Sequence, residues 1–257
     1  MRRSRENRKL LAWIAAGVWL LAAAAPATVV AASGSDEWKF DAAIYLWAPS
    51  MDIKPDGGDS IHISFSDIMK NLDMTFMGML GARKGKWSLL ADVIYMDLQD
   101  DQNFSTKLLD VVPVSGDVDV QMEAWIVTAA GGYNLVDTGR YTLDLLAGAR
   151  YISVELPLQF KVTGRPSRKT TPSGDIWDGI IGVRGEAGLT DNWYINYYLD
   201  GGTGDSSFTW QALTGLNYRF KKFEAGFGYR YLTWRDTDKD IQDLTVKGPY
   251  AGVRFLF

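Results

Sequence analysis

The sequence predicts an all-β chain, a ten-stranded antiparallel up-and-down transmembrane β-barrel preceded by a cleaved signal peptide. Three observations carry this. Hydrophobicity alternates with a period of two in ten segments of about ten residues, each bounded by turn residues. The apolar series hold aromatic residues at their ends and aliphatic residues or alanine between, as girdles flanking a hydrocarbon band would. The connections alternate short and long, the asymmetry of a barrel with short periplasmic turns and longer extracellular loops.

The N-terminus reads as a leader. Arg2, Arg3, Arg5, Arg8 and Lys9 form a positive start, an apolar run extends from Leu10 to Ala25, and Pro26 is followed by small residues ending Val30-Ala31-Ala32-Ser33. This three-part pattern assigns residues 1–32 to a secretory signal peptide and 33–257 to the barrel domain. A transmembrane anchor is the rival, because the run extended through Ala32 gives about twenty residues; Pro26 interrupts it. Arg2-Arg3 lacks the apolar pair that follows a twin-arginine signal.

The segments follow in order. Lys39 to Trp47 sets Phe40, Ala42, Ile44 and Leu46 against Lys39, Asp41, Ala43 and Tyr45. Met74 to Arg83 offers Met74, Phe76, Gly78, Leu80 and Ala82, and after Lys84-Gly85-Lys86 the next segment sets Trp87, Leu89, Ala91, Val93 and Tyr95 against Ser88, Asp92 and Met96, a tight hairpin. Val118 to Tyr133 places Val118, Val120, Met122, Ala124 and Ile126 opposite Asp119, Gln121 and Glu123. Tyr141 to Tyr151 sets alternate Leu and Ala against Thr142, Asp144 and Arg150. Trp177 to Leu189 alternates Ile181, Val183 and Ala187 with Asp178, Arg184 and Glu186, and Trp193, Ile195, Tyr197 and Leu199 then oppose Tyr194, Asn196, Tyr198 and Asp200. Trp210 to Phe220, Phe223 to Tyr231 and Val246 to Phe257 complete the ten. The connections at 48–73, 99–117, 156–175, 201–207 and 235–243 are read as the longer set.

Composition narrows the function classes. The 257 residues carry a formal charge of −4, which leaves no basic face for nucleic acid. The absence of cysteine excludes disulfides, thiolate metal sites and cysteine nucleophiles. Trp 10, Tyr 12 and Phe 11 are more aromatics than a packed soluble enzyme needs, and a mean hydropathy of −0.11 is compatible with strands whose two faces average out. A soluble sandwich or lipocalin-like barrel also alternates; the aromatics at the segment ends favour lipid.

The chain ends Tyr250-Ala-Gly-Val-Arg-Phe-Leu-Phe257, with Val253, Phe255 and Phe257 at alternate positions. This resembles the C-terminal assembly signal of bacterial outer-membrane barrels. From Trp38 to Phe257 the chain resembles the small Gram-negative outer-membrane β-barrel proteins, and Ser64-Phe-Ser-Asp-Ile-Met-Lys-Asn-Leu-Asp-Met-Thr-Phe-Met-Gly with Gly81-Ala-Arg-Lys-Gly-Lys-Trp87 is similar to one branch of them. That group has transport, adhesion, anchoring and enzymatic members. The resemblance implies a porin-like fold, a place in the cell envelope reached through the periplasm, outer-membrane lipids and the barrel-assembly machinery as partners, and no activity.

The residues expected to face the lumen are Lys39, Asp41, Arg83, Asp92, Glu123, Asp144, Arg150, Arg184, Glu186, Arg219, Glu224, Arg230 and Arg254. A barrel of about eight strands is filled by its own side chains and open channels need about sixteen. These charges therefore form a salt-bridged plug, or line a narrow path for a small solute. A barrel enzyme is the third reading, and His62, flanked by Asp59 and Asp67, is its candidate base. No nucleophile motif, phosphate loop or dinucleotide fingerprint accompanies His62, so no catalytic residue, metal site or cofactor is assigned. Asp97, Asp100 and Asp101, and Asp236, Asp238, Asp240 and Asp243, lack calcium-loop spacing and read as solvated loop tips. Lys161, Arg165, Arg168 and Lys169 make the third long connection basic, a contact for lipopolysaccharide phosphates or a host polyanion, or simply a solubilising loop. Phe65, Ile68, Met69 and Leu72 have helical spacing and suggest a short helix at the barrel mouth.

Overall fold

The computed structural model describes residues 37–55, 60–70, 72–100, 117–155, 158–161, 168–170, 173–237 and 241–257. The signal peptide and Asp101, Arg165, Asp238 and Asp240 lie outside the described residues. The elements are β1 (Lys39–Trp47), β2 (Ser50–Pro55), β3 (Ile61–Ile63), α1 (Phe65–Lys70), β4 (Leu72–Lys84), β5 (Trp87–Asp100), β6 (Asp117–Asp137), β7 (Tyr141–Glu155), β8 (Leu158–Lys161), β9 (Arg168–Thr170), β10 (Ser173–Gly188), β11 (Trp193–Gly204), β12 (Ser206–Arg219), β13 (Phe223–Thr237) and β14 (Ile241–Leu256). Strands β1, β4, β5, β6, β7, β10, β11, β12, β13 and β14 pair in that order, and β14 returns to β1 through Ile44↔Val253 and its neighbours. The barrel is closed, so among the described residues no strand edge in its wall faces lipid unpaired.

Short turns close one end. Gly85-Lys86 joins β4 to β5 with Gly85 at a φ of 57°, the left-handed conformation a two-residue hairpin requires. The wall is taller than the sequence segments suggest. About ten residues cross a membrane, whereas β6 has 21 and β10 and β14 have 16 each. Part of the expected long connections is therefore strand. β11 and β12 are separated by Asp205 alone, because Gly202 and Gly204, read as loop residues, lie in the ladder with Ile180 and Asp178. Only glycine fits at 202, where a Cβ would lie 2.0 Å from the Gly179 carbonyl. Likewise Asp97 and Asp100 lie within β5, Asp236 within β13 and Asp243 within β14, rather than at loop tips. Lys161, Arg168 and Lys169 belong to β8 and β9, with β8 extending the edge of β6.

The outer face is apolar in the middle and aromatic at both borders. Ile44, Leu46, Leu89, Ile181 and Phe227 are all more than half exposed, which a water-facing wall would not tolerate as a continuous belt. Toward the short turns, Trp87 packs on Tyr133, Trp193 on Tyr218, and Phe220 on Phe223. Toward the other end, Tyr95 packs on Trp125, Tyr151 on Trp177, and Trp210 on Tyr231. Tyr141 and Tyr151 mark the two rows on β7. At about 3.3 Å per residue and a tilt of about 40°, they stand roughly 25 Å apart along the barrel axis, the height of a hydrocarbon band.

The first long connection folds back over the open end. β2 pairs with β14 through Met51↔Val246 and β3 pairs with β2 through Met51↔Ile63. Ser64 caps α1, accepting from the Asp67 backbone N–H at 3.3 Å and donating to the Asp67 carboxylate at 2.7 Å. The helix turns Ile68 into the barrel, where it is buried.

Candidate functional site in the barrel lumen

The inward-facing side chains form tiers. At the short-turn end lies a charged belt. Asp144 of β7 pairs with Arg83 and with Arg184 (3.3 Å) and accepts from Asn134 at 2.8 Å. Arg254 of β14 joins Asp41 (3.2 Å), Glu186 (2.9 Å) and Glu224 (3.4 Å), while Arg219 bridges Glu186 (2.5 Å) and Glu224 (3.0 Å). Tyr194 donates to Glu224 at 2.7 Å and lies beneath the Arg219 guanidinium, 4.0 Å from ring centre to cation. Lys39, the first residue of β1, is exposed at this rim.

A second ionic tier crosses mid-wall. Arg230 of β13 meets Asp92 of β5 at 2.8 Å and donates to Gln211 Oε1 (2.6 and 2.9 Å) and Tyr45 Oη (3.0 Å), with the Trp47 ring 5.0 Å away. Tyr45 in turn donates to Asp92 at 2.5 Å. Arg150 of β7 pairs with Asp200 of β11, both side chains wholly buried, and donates to Thr128 and Thr209 at 3.3 Å each. Inward glycines make room for these groups: a Cβ on Gly81 would meet Asp41 Oδ1 at 2.3 Å.

Above the second tier the lumen is apolar on the side of β1, β4–β7, β13 and β14, while β10–β12 bury Asp178, Ser206 and Thr209 there. Trp47, Met77, Ile94, Met96, Ile126, Ile152, Leu232, Trp234, Leu244 and Val246 pack with Met51, Ile63 and Ile68 of the folded-back connection into one cluster. Below it, between the two ionic tiers, lies a cavity of about 220 Å³. Its lining reaches from Tyr45 and Asp92 at mid-wall to Arg83, Thr142 and Glu224 beside the short turns.

Twelve of the thirteen charges expected in the lumen lie on inward-facing positions or, for Lys39, at the rim. Glu123 is the correction. It lies on the outward face of β6 with Trp125, whose indole donates to it at 3.3 Å, while Ala124 and Ile126 point inward and are buried. The reason is that β6 passes beside the apolar seal, so here the inward face is the apolar one and polarity no longer tells the faces apart. The inward acids Asp178 and Asp200 are absent from the expected set. The alternation that selects Arg184 also selects Asp178, and that of Tyr194 and Tyr198 selects Asp200, so parity alone could have found them. Val253 and Phe255 lie outward on β14, the strand that closes the barrel, and Phe257 follows its end. His62 sits on the outward side of the folded-back connection, its Nδ1 2.5 Å from Asp52 Oδ1. The other carboxylate oxygen of Asp52 takes Lys247 at 2.8 Å.

A closed ten-stranded cylinder with an apolar, girdled exterior and a charged, paired interior defines a membrane-spanning barrel of the outer-membrane type. No family model matches the sequence, and no curated protein matches it. Among solved structures it is similar to the outer-membrane protease OmpT from Escherichia coli (11% identity, 90% of this chain and 100% of that one, TM-score 0.47). It is also similar to Ail, the attachment invasion locus protein of Yersinia pestis (10%, 86% and 99%, 0.37), and to the translocator domain of the autotransporter NalP from Neisseria meningitidis (12%, 87% and 89%, 0.41). Likeness at this level assigns none of their roles to this chain.

Proposed function

We propose that the chain is a structural or surface component of a Gram-negative outer membrane, exported through the periplasm and inserted by the assembly machinery acting on Val253, Phe255 and Phe257, with a lumen that does not conduct. The apolar seal is the observation that carries this. Ile94, Leu232 and Trp234 have no exposure, and the folded-back connection adds Met51, Ile63 and Ile68 to the same cluster. Ions would have to shed their hydration to pass such a layer. In this reading the chain is not an enzyme. His62 bonds Asp52 and, among the described residues, no hydroxyl nucleophile. The test is single-channel conductance of the refolded chain in a planar bilayer, with heat-modifiable gel migration reporting the folded barrel. A folded, silent barrel is expected. Steady ion-selective openings would overturn the seal and favour the narrow pore.

A further inference from the structure

We infer that the chamber beneath the seal is a binding site for a neutral, hydroxyl-rich solute about the size of one sugar ring, entering from the short-turn end. It goes beyond the sealed-barrel reading, and binding is read separately from conductance, so either can fail alone.

Size and access come first. About 220 Å³ is below the usual 300–1,000 Å³ of drug-sized pockets, so the ligand is small. The lining runs down to Thr142 and Glu224, each the second residue of its strand, so the chamber reaches the rim. Its upper end stops at the mid-wall pair of Arg230 and Asp92, under the apolar cluster.

Charge decides the class. Asp41, Asp92, Asp144, Glu186 and Glu224 each pair with at least one of Arg83, Arg184, Arg219, Arg230 and Arg254. Every acid of the lining is thus paired, with Arg83, Arg184 and Arg254 inside the lining and Arg219 and Arg230 outside it, so a charged ligand would compete with existing pairs. Neutral hydrogen-bonding capacity remains beside these pairs. Gln211 spends its carbonyl oxygen on Arg230, leaving its amide N–H groups, and Asn217 spends its N–H groups on Asn196 and the Gly215 carbonyl, leaving its oxygen. Tyr198, Tyr250 and Leu213 add apolar surface. A sugar ring, with an apolar face and a hydroxyl edge, matches both.

The test is saturation-transfer NMR and calorimetric titration of the refolded full chain in detergent micelles, with D-glucose and myo-inositol as probes and arginine and succinate as charged comparators. Saturable binding of a neutral probe, and none of the comparators, is expected. Gln211→Glu keeps the acceptor for Arg230 but removes the amide donor and should weaken binding about tenfold, the size of one hydrogen bond. Leu213→Trp should fill the chamber and abolish it. Absence of saturable binding to the folded wild-type chain overturns the site, and tighter binding of a comparator overturns the ligand class. Unchanged affinity in a folded Leu213→Trp barrel places any binding elsewhere. Should that variant not fold, unchanged affinity in Gln211→Glu overturns the site.

Discussion

The two ends of the lumen fill one cylinder with opposite chemistry. Toward the folded-back connection, side chains from β1, β4, β5, β6, β7, β13 and β14 meet as a hydrocarbon core, where any apolar neighbour of the right volume serves. Below that core, each arginine needs particular carboxylates on particular strands: Arg83 of β4 reaches Asp144 of β7, Arg150 of β7 reaches Asp200 of β11, and Arg254 of β14 reaches Glu186 of β10. These pairs join strands that are not neighbours in the sheet. The difference teaches that closure and register are separate jobs. The apolar end shuts the barrel, and the ionic end fixes which strands face each other across it.

The comparison breaks first at Arg150. A buried pair contributes little net stability, but removing one partner strands the other and costs about 3–5 kcal/mol. Arg150→Leu should lower barrel stability by about that amount in a urea titration, with Asp200 left buried without its cation. The double variant Arg150→Leu/Asp200→Leu should recover most of the loss. A double variant no more stable than the single would show that lost packing, and not the stranded carboxylate, is the cause. At the apolar end, Ile94→Ala should cost somewhat less, about 2–4 kcal/mol from lost burial and an unfilled cavity. No second substitution at a charged position should rescue it. If the two sites rescued each other, the ends of the lumen would be one cooperative unit and not two.

How much of this was legible in the sequence follows the same division. Where one face is polar and the other meets lipid, parity assigns nearly every position, and Asp92, Arg184, Glu186, Arg230 and Arg254 fall where alternation puts them. Where the lumen is itself apolar, alternation is silent. Trp47, Ile94, Ile126 and Trp234 carry no mark that separates inward from outward, and for that reason the sequence pattern puts Glu123 on the wrong face. The cavity was not legible at all. It depends on glycine positions such as Gly81 and on which rotamers the arginines take once paired, and both are properties of strands brought together by the closed register. The cap was half legible: helical spacing marked 65–72, but nothing local indicates that β2 adds to β14 across about 190 residues of chain.

The smallest effect concerns what holds that cap outside the hydrocarbon band. Burial raises the Asp52 carboxyl, but hydrogen bonds with Lys247 and His62 outweigh it and hold the group below its ordinary 3.8. The hydrogen bond to Asp52 holds Lys247 above its ordinary 10.5. A depressed carboxylate contributes fully above 3.8 and loses its contribution as pH falls through the lowered value, whereas a raised ammonium contributes fully below 10.5 and loses it as pH rises through the raised value. The link therefore holds across the neutral range and fails at either extreme. Both side chains are over a third exposed, so it contributes only about 0.2–1 kcal/mol. Asp52→Asn should speed amide hydrogen exchange at Ile61–Ile63 by about two- to fivefold at neutral pH and remove the acid-side change. Exchange that stays slow, with its acid dependence intact, would assign the cap to the packing of Met51, Ile63 and Ile68, making it an extension of the seal and not a separately latched element.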